Sequence, residues 1–298
     1  MAIGLKTKVP IVVGIGELLW DMLPDGRQPG GAPANFAYHA AAQGTHAHIV
    51  SAVGQDPLGG ELLGFLKNKS LSTNHIAELD SFPTGTVNVR MTNGIPVYDI
   101  VEDVAWDHIP FSRDFAKLAG KADAVCFGTL ACRSPGSRAT IFRFLEALRA
   151  DCLKICDINL RQHYYSLELI EKMFKIADIL KINDDEIMTV AALLEQTGTE
   201  NELARSLLDK FDFQAVVLTK GAAGASYYSK GTTVSCKPAN PEKAVDTVGC
   251  GDAFCAVFTT GLLFGLSPRQ AMQDAERRAS FVSTQNGAMP DLPTGTLF

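Results

Sequence analysis

The chain has 298 residues, of which 46% are hydrophobic, and it carries a formal net charge of −6. This content is sufficient for a sizeable core, as one large domain or two small ones, and no segment has the composition of disordered or collagen-like protein. The negative charge leaves no basic stripe for nucleic acid, so a phosphate ligand would have to be bound by local geometry.

The cysteines and the N-terminal segment predict a cytoplasmic protein. The seven cysteines include no Cys-x-x-Cys pair and are expected to be reduced thiols. The apolar run VPIVVGIG ends at Glu17 without a small-residue cleavage site, which favours a first strand over a signal peptide. The apolar stretch 253–266 is shorter than the ~18–20 residues that cross a bilayer, so we expect a buried helix and no membrane association.

Strand-like and helix-like segments alternate along most of the chain. Short, mostly apolar runs predict strands at 11–16, 47–54, 124–130, 153–159, 178–183 and 215–220. Helical patterns lie at 32–44, 58–70, 136–149, 166–177, 184–195, 200–210, 251–265 and 268–284. Asn183 and Glu186 have the spacing of a capping pair. The alternation predicts a largely parallel sheet with helices on both faces, within a single domain covering residues 1–298.

Residues 84–100 depart from this alternation. Apolar and polar side chains alternate there, and an Asn-Gly pair separates two arms, as in a β-hairpin. Asn88, Arg90 and Thr92 share the polar face of one arm, which is expected to meet solvent or a polar ligand. We interpret the segment as a flap or a small second sheet.

The stretch DTVGCGDAF, residues 246–254, leads directly into a predicted helix. Small residues let a backbone approach a ligand closely, and a helix N-terminus presents free N–H groups with the helix dipole behind them. The turn Gly249-Cys250-Gly251 is therefore a candidate anion cradle that needs no lysine. Asp252 beside it would suit a general base that takes the proton from an attacking hydroxyl. A purely structural turn, with Asp252 only capping the helix, is the alternative.

Polar or glycine-rich segments follow most of the predicted strands. They are WD at 20–21, GGAPANFA at 30–37, GQDPLGG at 54–60, DINLR at 157–161, NDDE at 183–186 and TKGAAG at 219–224. In open α/β sheets the ligand site lies beyond the carboxyl ends of the strands, so these segments are expected to surround one site.

GGAPANFA and DTVGCGDAF together resemble the two signature regions of the ribokinase-like (PfkB) carbohydrate kinases. NDDE is similar to that family's NxxE element and TKGAAG to its nucleotide-binding turn, and the resemblance covers the chain from about residue 11 to 290. GELLWD followed by PGGAPANFA is most similar to the fructokinase branch. The resemblance implies a three-layer α/β/α domain with a mostly parallel central sheet and a small β-sheet lid, formed by roughly 17–32 and 84–108. It also implies ATP-dependent transfer of the γ-phosphate to a monosaccharide hydroxyl, with D-fructose as the expected acceptor.

The resemblance also implies a role for each matching residue. Asp252 would be the catalytic base, and the N–H groups of Gly249, Cys250 and Gly251 would hold the transferred phosphate. The sugar would be bound by Asp21, Gly30, Gly31 and Asn35, with Arg161 reaching the sugar or the phosphates. The nucleotide would be bound by Asn183, Glu186, Thr219, Gly221 and Gly224. Glu186 would also act on Mg²⁺ through water, and Asp246 would help bind a monovalent cation such as K⁺. Lid sheets in the family often pair, which implies a homodimer.

The sequence departs from the family pattern in two places. Cys250 stands where a smaller residue is usual, which adds bulk and a possible site of oxidation without removing the backbone N–H. The charged run Glu276-Arg277-Arg278 falls where the family has smaller residues beside the adenine, so the contacts to the base are left open.

Several alternatives remain beside the sugar-kinase hypothesis. GIGELLWD has the first part of a dinucleotide-binding pattern but no third glycine, and no P-loop pattern occurs. Ribose, 2-keto-3-deoxygluconate and a nucleoside remain possible acceptors, and an inactive scaffold or sensor remains possible. His46 and His48 are expected to be surface residues rather than metal ligands. Trp20 and Trp106 are expected in the core or under the lid, and Lys220 as a solvated charge at a strand end.

Overall fold

The structure is a computed structural model that describes residues 8–23, 26–92, 95–238 and 244–293, with side chains described outside 89–98. The strands are β1 (Ile11–Ile15), β2 (Leu19–Leu23), β3 (Gly26–Gly30), β4 (His46–Gly54), β5 (Ile76–Leu79), β6 (Gly85–Thr92), β7 (Ile95–Ile100), β8 (Ala124–Phe127), β9 (Leu153–Asp157), β10 (Ile179–Asn183), β11 (Ala215–Thr219), β12 (Ala225–Ser229) and β13 (Thr232–Cys236). The α-helices are α1 (Ala32–Ala41), α2 (Pro57–Asn68), α3 (Arg113–Ala119), α4 (Pro135–Glu146), α5 (Leu167–Phe174), α6 (Asp184–Leu193), α7 (Glu200–Lys210), α8 (Cys250–Leu263) and α9 (Pro268–Ser283).

The larger sheet has the strand order β13-β12-β11-β10-β9-β8-β1-β4-β5. The pairs from β11 through β5 are parallel, and β12 and β13 extend the sheet as antiparallel strands. From β1 the chain proceeds to β4 and β5 on one side, and later from β8 to β11 on the other. The strand order therefore reverses between β1 and β8, which is where such sheets open a crevice at their carboxyl ends.

Two hydrophobic clusters cover the two faces of this sheet. Val125 and Phe127 point into the cluster that α3 to α7 complete, whereas Ala124 and Cys126 point into the cluster completed by α1, α2, α8 and α9. Successive side chains of a strand point to opposite faces, so a strand buried on both faces is apolar throughout. The predicted three-layer arrangement with a mostly parallel sheet is confirmed.

The smaller sheet has the order β3-β2-β6-β7. Strands β2 and β3 form one antiparallel pair, β6 and β7 form another, and β2 joins them by parallel pairing to β6. The arms of the predicted hairpin are thus antiparallel strands. Its Asn93-Gly94 turn lies outside the described residues, as do the side chains of Arg90 and Thr92, while Asn88 is half-buried.

The predicted strand 124–130 was too long. The strand ends at Phe127, and a 3₁₀ turn follows at Leu130–Cys132. Between them, Gly128 passes so close to Asp157 that an added Cβ would lie 2.6 Å from its carbonyl oxygen. Among the described residues, no helix combines the length and apolar character needed to span a membrane.

Candidate active site

A cleft of about 1210 Å³ opens at the carboxyl ends of the central strands, between the two sheets. It is larger than a typical small-molecule pocket of ~300–1,000 Å³, so it has room for two substrates side by side. Its lining includes every residue that the sequence pointed to except Gly30: Asp21, Gly31, Asn35, Arg161, Asn183, Glu186, Thr219, Gly221, Gly224, Asp246, Gly249, Cys250, Gly251 and Asp252.

The turn before α8 is shaped by its glycines. Gly249 has φ 76° in the left-handed region, and a Cβ added there would lie 2.3 Å from the Cβ of Ala288. A Cβ on Gly251 would lie 2.9 Å from the Nζ atom of Lys181. A side chain at Gly249 is therefore excluded, and one at Gly251 would have to displace the Lys181 ammonium group. Without side chains at these two positions the backbone at the start of α8 is open to the cleft, and the Cys250 N–H also donates to the carbonyl oxygen of Thr247 at 3.3 Å.

Asp246 holds the segment that leads into this turn. One carboxylate oxygen accepts a hydrogen bond from the Val248 N–H at 2.9 Å, and the other accepts from the Gly287 N–H at 3.1 Å. Because Gly287 precedes the residue that packs on Gly249, these bonds fix the turn against the segment that follows α9. Cys250 carries a half-buried thiol whose pKa is raised to about 12, mainly by burial, so the thiol is neutral and a poor target for oxidation.

Asp252 lies in the first turn of α8, directly after Gly251. Its Oδ2 atom accepts a hydrogen bond from Nδ2 of buried Asn35 on α1 at 2.7 Å. Burial and the neighbouring Asp157 raise the pKa of Asp252 to about 6, while Lys181 and Asn35 act in the opposite direction. The group is therefore ionised at neutral pH yet close to its pKa, which suits a general base.

A buried ion pair lies beneath the turn, and sequence reasoning missed it. The Nζ atom of Lys181 is 2.9 Å from Oδ1 of Asp157, and both residues are less than a tenth exposed. Burial alone would lower the pKa of Lys181, but Asp157 and Glu186 raise it above its usual value, so the lysine stays charged. A lysine inside the apolar strand DILKIN was the available signal, because lysine is almost never buried without a partner.

Two acidic residues enter the cleft from the opposite side. Glu17, 4% exposed, accepts a hydrogen bond from the Ala32 N–H at 3.2 Å, and burial raises its pKa to about 7. Burial also raises the pKa of Asp21 to about 6, with Arg161 acting against it. The sequence pattern had named Asp21 but not Glu17, whose signal was an acidic side chain directly after the buried strand β1.

Gly30 and Gly31 let strand β3 pass close to these acids. A Cβ on Gly30 would lie 2.4 Å from Oδ2 of Asp21, and a Cβ on Gly31 would lie 2.4 Å from the carbonyl oxygen of Glu17. Gly31 also has φ 112°, which favours glycine. Gly30 therefore makes space for the Asp21 carboxylate and does not itself line the cleft.

Asn183 and Glu186 form the predicted capping box at the start of α6. The Glu186 N–H donates to Oδ1 of Asn183 at 2.8 Å, and the Asn183 N–H donates to Oε2 of Glu186 at 3.0 Å. Oε1 of Glu186 accepts from the Leu160 N–H at 3.0 Å and so ties down the loop that carries exposed Arg161. Each oxygen of the Glu186 carboxylate thus already accepts one backbone amide.

The wall beyond β11 consists of its following turn and of α9. Gly224 has φ 91°, and a Cβ there would lie 2.1 Å from the carbonyl oxygen of Cys236. Lys220 turns away from the cleft to pair with Glu200 on α7 at 2.6 Å. Together with Thr219 and Gly221, the turn presents backbone and small side chains to the cleft.

The three charged side chains of the run 276–278 on α9 point in three different directions. Glu276 lines the cleft, whereas Arg277 pairs with Asp274 on the surface. Arg278 is fully buried on another side of the helix, with Nη1 3.2 Å from Nδ1 of His39. One of the three charged side chains therefore faces the proposed adenine end.

The tryptophans belong to the interior. Trp20 donates its indole N–H to the carbonyl of Leu58 at 2.9 Å, and Trp106 is fully buried under the Arg133 guanidinium, 3.9 Å from its ring centroid. Neither lines the cleft.

The histidines of β4 show no sign of a metal site. His46 is exposed, and the ring of half-buried His48 meets His75 edge-on at 5.0 Å. In the part of the chain that the structure describes, no group of three or more histidine, cysteine or acidic side chains is placed to hold a metal.

A family model described as "pfkB family carbohydrate kinase" matches residues 25–295, which is most of the chain and includes the turn, Asp252 and α9. The chain belongs to this family. The chain is therefore a carbohydrate kinase of the PfkB family, and its fold is ribokinase-like.

Relatives with different acceptors match this PfkB chain about equally well. A fructokinase of Klebsiella pneumoniae is 29% identical over 300 residues, covering 94% of this chain and 95% of the relative. An ATP-dependent 6-phosphofructokinase of Thermoanaerobacterium thermosaccharolyticum is 27% identical over 303 residues, covering 95% and 90%. A structure of an uncharacterized sugar kinase from Pyrococcus horikoshii in complex with ATP has a TM-score of 0.80 and 26% identity, covering 94% of each chain.

Proposed function

We propose that this PfkB kinase transfers the γ-phosphate of ATP to a hydroxyl of a monosaccharide, with D-fructose as the preferred acceptor. The observation that carries the proposal is the position of Asp252, which directly follows the turn Gly249–Gly251 and lines the same cleft as the acidic residues Glu17 and Asp21. The fructokinase of Klebsiella pneumoniae supports fructose as the acceptor.

Asp252 takes the proton from the acceptor hydroxyl as its oxygen attacks phosphorus, with Asn35 fixing the carboxylate. The N–H groups of Gly249, Cys250 and Gly251 stabilise the charge that develops on the transferred phosphoryl group. Preorganised donors of this kind contribute about 2.7–4 kcal/mol each in other oxyanion sites. Lys181, directly below Gly251, adds a fixed positive charge to the same region. Phosphoryl transfer depends on such positioning and charge stabilisation more than on covalent chemistry.

The acceptor is held from the lid side in this proposal. Asp21, Gly31 and Asn35 bind sugar hydroxyls, Gly30 leaves room for the Asp21 carboxylate, and Arg161 reaches in from its loop. The lid, formed by roughly 17–32 and 84–108, would close over the sugar and exclude water, so that the sugar hydroxyl rather than water is phosphorylated.

Two kinds of cation are proposed on the nucleotide side. Mg²⁺ bound to the phosphates would neutralise their charge, and Asn183 and Glu186 would hold it through water, since both Glu186 oxygens already accept backbone amides. Asp246 is proposed to bind a monovalent cation such as K⁺, because its carboxylate fixes the turn next to the phosphate position. Thr219, Gly221 and Gly224 would line the remainder of the nucleotide.

Ribose, 2-keto-3-deoxygluconate and a nucleoside are the competing acceptors, and the 6-phosphofructokinase relative adds a sugar phosphate. The deciding experiment is ADP release from Mg-ATP across a panel of these acceptors. Fructose should give the highest kcat/KM. A higher kcat/KM with another acceptor would keep the mechanism and overturn the fructose proposal. If no acceptor increased ADP release, a scaffold or sensor would be favoured.

We also propose a cytoplasmic homodimer that pairs through the smaller sheet, β3-β2-β6-β7. This sheet has two free edges, β3 and β7, among the described strands, and edge strands are ready to pair with another chain. Light scattering of the protein at several concentrations tests the dimer, and a monomer at all of them would contradict it.

A further inference from the structure

Glu276 is a buried carboxyl group that the fold does not use. It lies in the middle of α9 and is 7% exposed. The structure gives it no hydrogen bond or ion pair with any other residue it describes, yet its side chain lines the cleft. Acidic residues are almost never buried without a partner, because burial of an unpaired carboxylate is costly. A carboxyl group in this position is therefore suited to a ligand in the cleft.

Its place in the fold indicates which part of a ligand it would meet. The acceptor side is formed by Asp21 and Asn35 near β1, and the phosphate turn follows at Gly249–Gly251. Glu276 and the turn after β11 line the far end, and β11 lies four strands from β1 in the sheet. At about 4.8 Å per strand, β11 lies roughly 19 Å from β1. Glu276 lies between the turn before α8 and strand β13, since its charge acts on the thiols of both Cys250 and Cys236. A nucleotide with its terminal phosphate at the turn and its base towards β11 would thus extend past the turn to Glu276.

We propose that Glu276 reads the hydrogen-bonding edge of the donor's purine, and that the kinase accepts guanine as well as adenine nucleotides, with the guanine share rising at alkaline pH. The inference rests on the proposed function and extends it to the donor. An ionised carboxylate only accepts hydrogen bonds, which matches the ring N–H and the amino group of guanine. A protonated carboxyl group donates one and accepts one, which matches the ring nitrogen and the amino group of adenine.

The groups that the structure describes around Glu276 are uncharged, so the ionisation of Glu276 itself decides between guanine and adenine. Burial raises the pKa of Glu276 to about 7. Facing it are the thiols of Cys236 on β13 and Cys250 on α8, whose pKa values are each raised to about 12, so both are neutral. Strand β12, which also packs on α9, brings tyrosines but no charged residue. Asp252 of α8 is bonded to Asn35 instead.

The charged neighbours of Glu276 on α9 itself point elsewhere. Arg277 pairs with Asp274 on the surface, and Arg278 points towards His39 on α1. Neither arginine neutralises Glu276 along its own helix.

Calorimetric titration with Mg-ATP and with Mg-GTP, without any sugar, at pH 6 and at pH 8 tests the inference. Both nucleotides carry the same triphosphate, so its ionisation changes both dissociation constants equally and does not affect their ratio. We expect the ratio to move towards GTP by ~10-fold or more at pH 8, since hydrogen bonds to a charged group are among the stronger ones. Glu276→Gln should bind ATP well at both values and lose the shift, because an amide donates one bond and accepts one at any pH.

Glu146→Gln is the matched control, since Glu146 ends α4, is exposed and does not line the cleft. It should behave like the unmodified protein. An unmodified protein with the same ratio at both pH values would overturn the inference even if Glu276→Gln failed to fold. If the ratio of dissociation constants shifts as expected but no sugar causes ADP release, the proposed function alone is overturned. If neither nucleotide binds, both the inference and the proposed function are overturned.

Discussion

Replacing Lys181 by methionine should change both the stability of the fold and the pH dependence of the reaction. The substitution would leave Asp157, 5% exposed, without the cation that lies 2.9 Å away. Removing one partner of a buried pair costs about 3–5 kcal/mol, because the remaining charge is uncompensated. Lys181 also lowers the pKa of Asp252, which stands at about 6. Its loss should move the acidic limb of kcat/KM upwards by roughly one pH unit.

Urea unfolding and pH profiles of kcat/KM measure these two effects separately. The double variant Asp157→Asn/Lys181→Met is the control, since it removes both charges. It should recover most of the lost stability, and its acidic limb should lie near that of the unmodified enzyme, because Asp157 raises the pKa of Asp252 while Lys181 lowers it. A single variant within ~0.5 kcal/mol of the unmodified protein, with an unmoved acidic limb, would refute this reasoning.

Two further predictions concern the turn and the lid-side acid. Gly249→Ala should lower kcat at least ~10²-fold, because its Cβ would collide with Ala288 and displace the phosphate donors. Gly265→Ala is the control, since Gly265 has φ 81° and open space around it. It should lower the free energy of unfolding in urea by only ~1–2 kcal/mol and leave kcat unchanged. Equal losses of kcat in Gly249→Ala and Gly265→Ala would contradict the assignment of the turn. Glu17 has a folded pKa raised from 4.5 to about 7, so its favourable contribution is present below pH 4.5 and is lost as the pH rises through 7. The free energy of unfolding of Glu17→Gln, measured in urea, should therefore rise by up to ~3 kcal/mol relative to that of the unmodified protein between pH 4 and pH 8. A difference between the two proteins that does not depend on pH would contradict this prediction.

The layered fold could be predicted because its strands are apolar on both faces and its helices carry local start signals. The Asn183–Glu186 capping box is one such signal, and it forms as its spacing predicted. Strands β2, β3, β5, β12 and β13 and helix α3 were missed. Gly26–Gly30 reads GRQPG, with glycine and proline that disfavour strands, and it becomes a strand only through pairing with β2. Such tertiary pairing leaves little trace in local sequence.

The candidate site could be predicted where a motif keeps its members adjacent, as in the turn before Asp252. It could not be predicted where the partners come from separate strands. The Asp157–Lys181 pair joins β9 to β10, and the contact of Gly249 with Ala288 joins segments that flank α8 and α9. The direction of Glu276 was equally hidden, because helical phase decides whether a charged run faces the cleft, the core or solvent.

ADP release from Mg-ATP with fructose, comparing the unmodified enzyme with Asp252→Asn, tests the central claim most directly. The account predicts that the variant folds and binds both substrates but transfers phosphate at least ~10²-fold more slowly, because an amide cannot accept the hydroxyl proton. The unmodified enzyme should also lose activity below pH about 6, where Asp252 becomes protonated. Full activity of Asp252→Asn would contradict the assignment of the base.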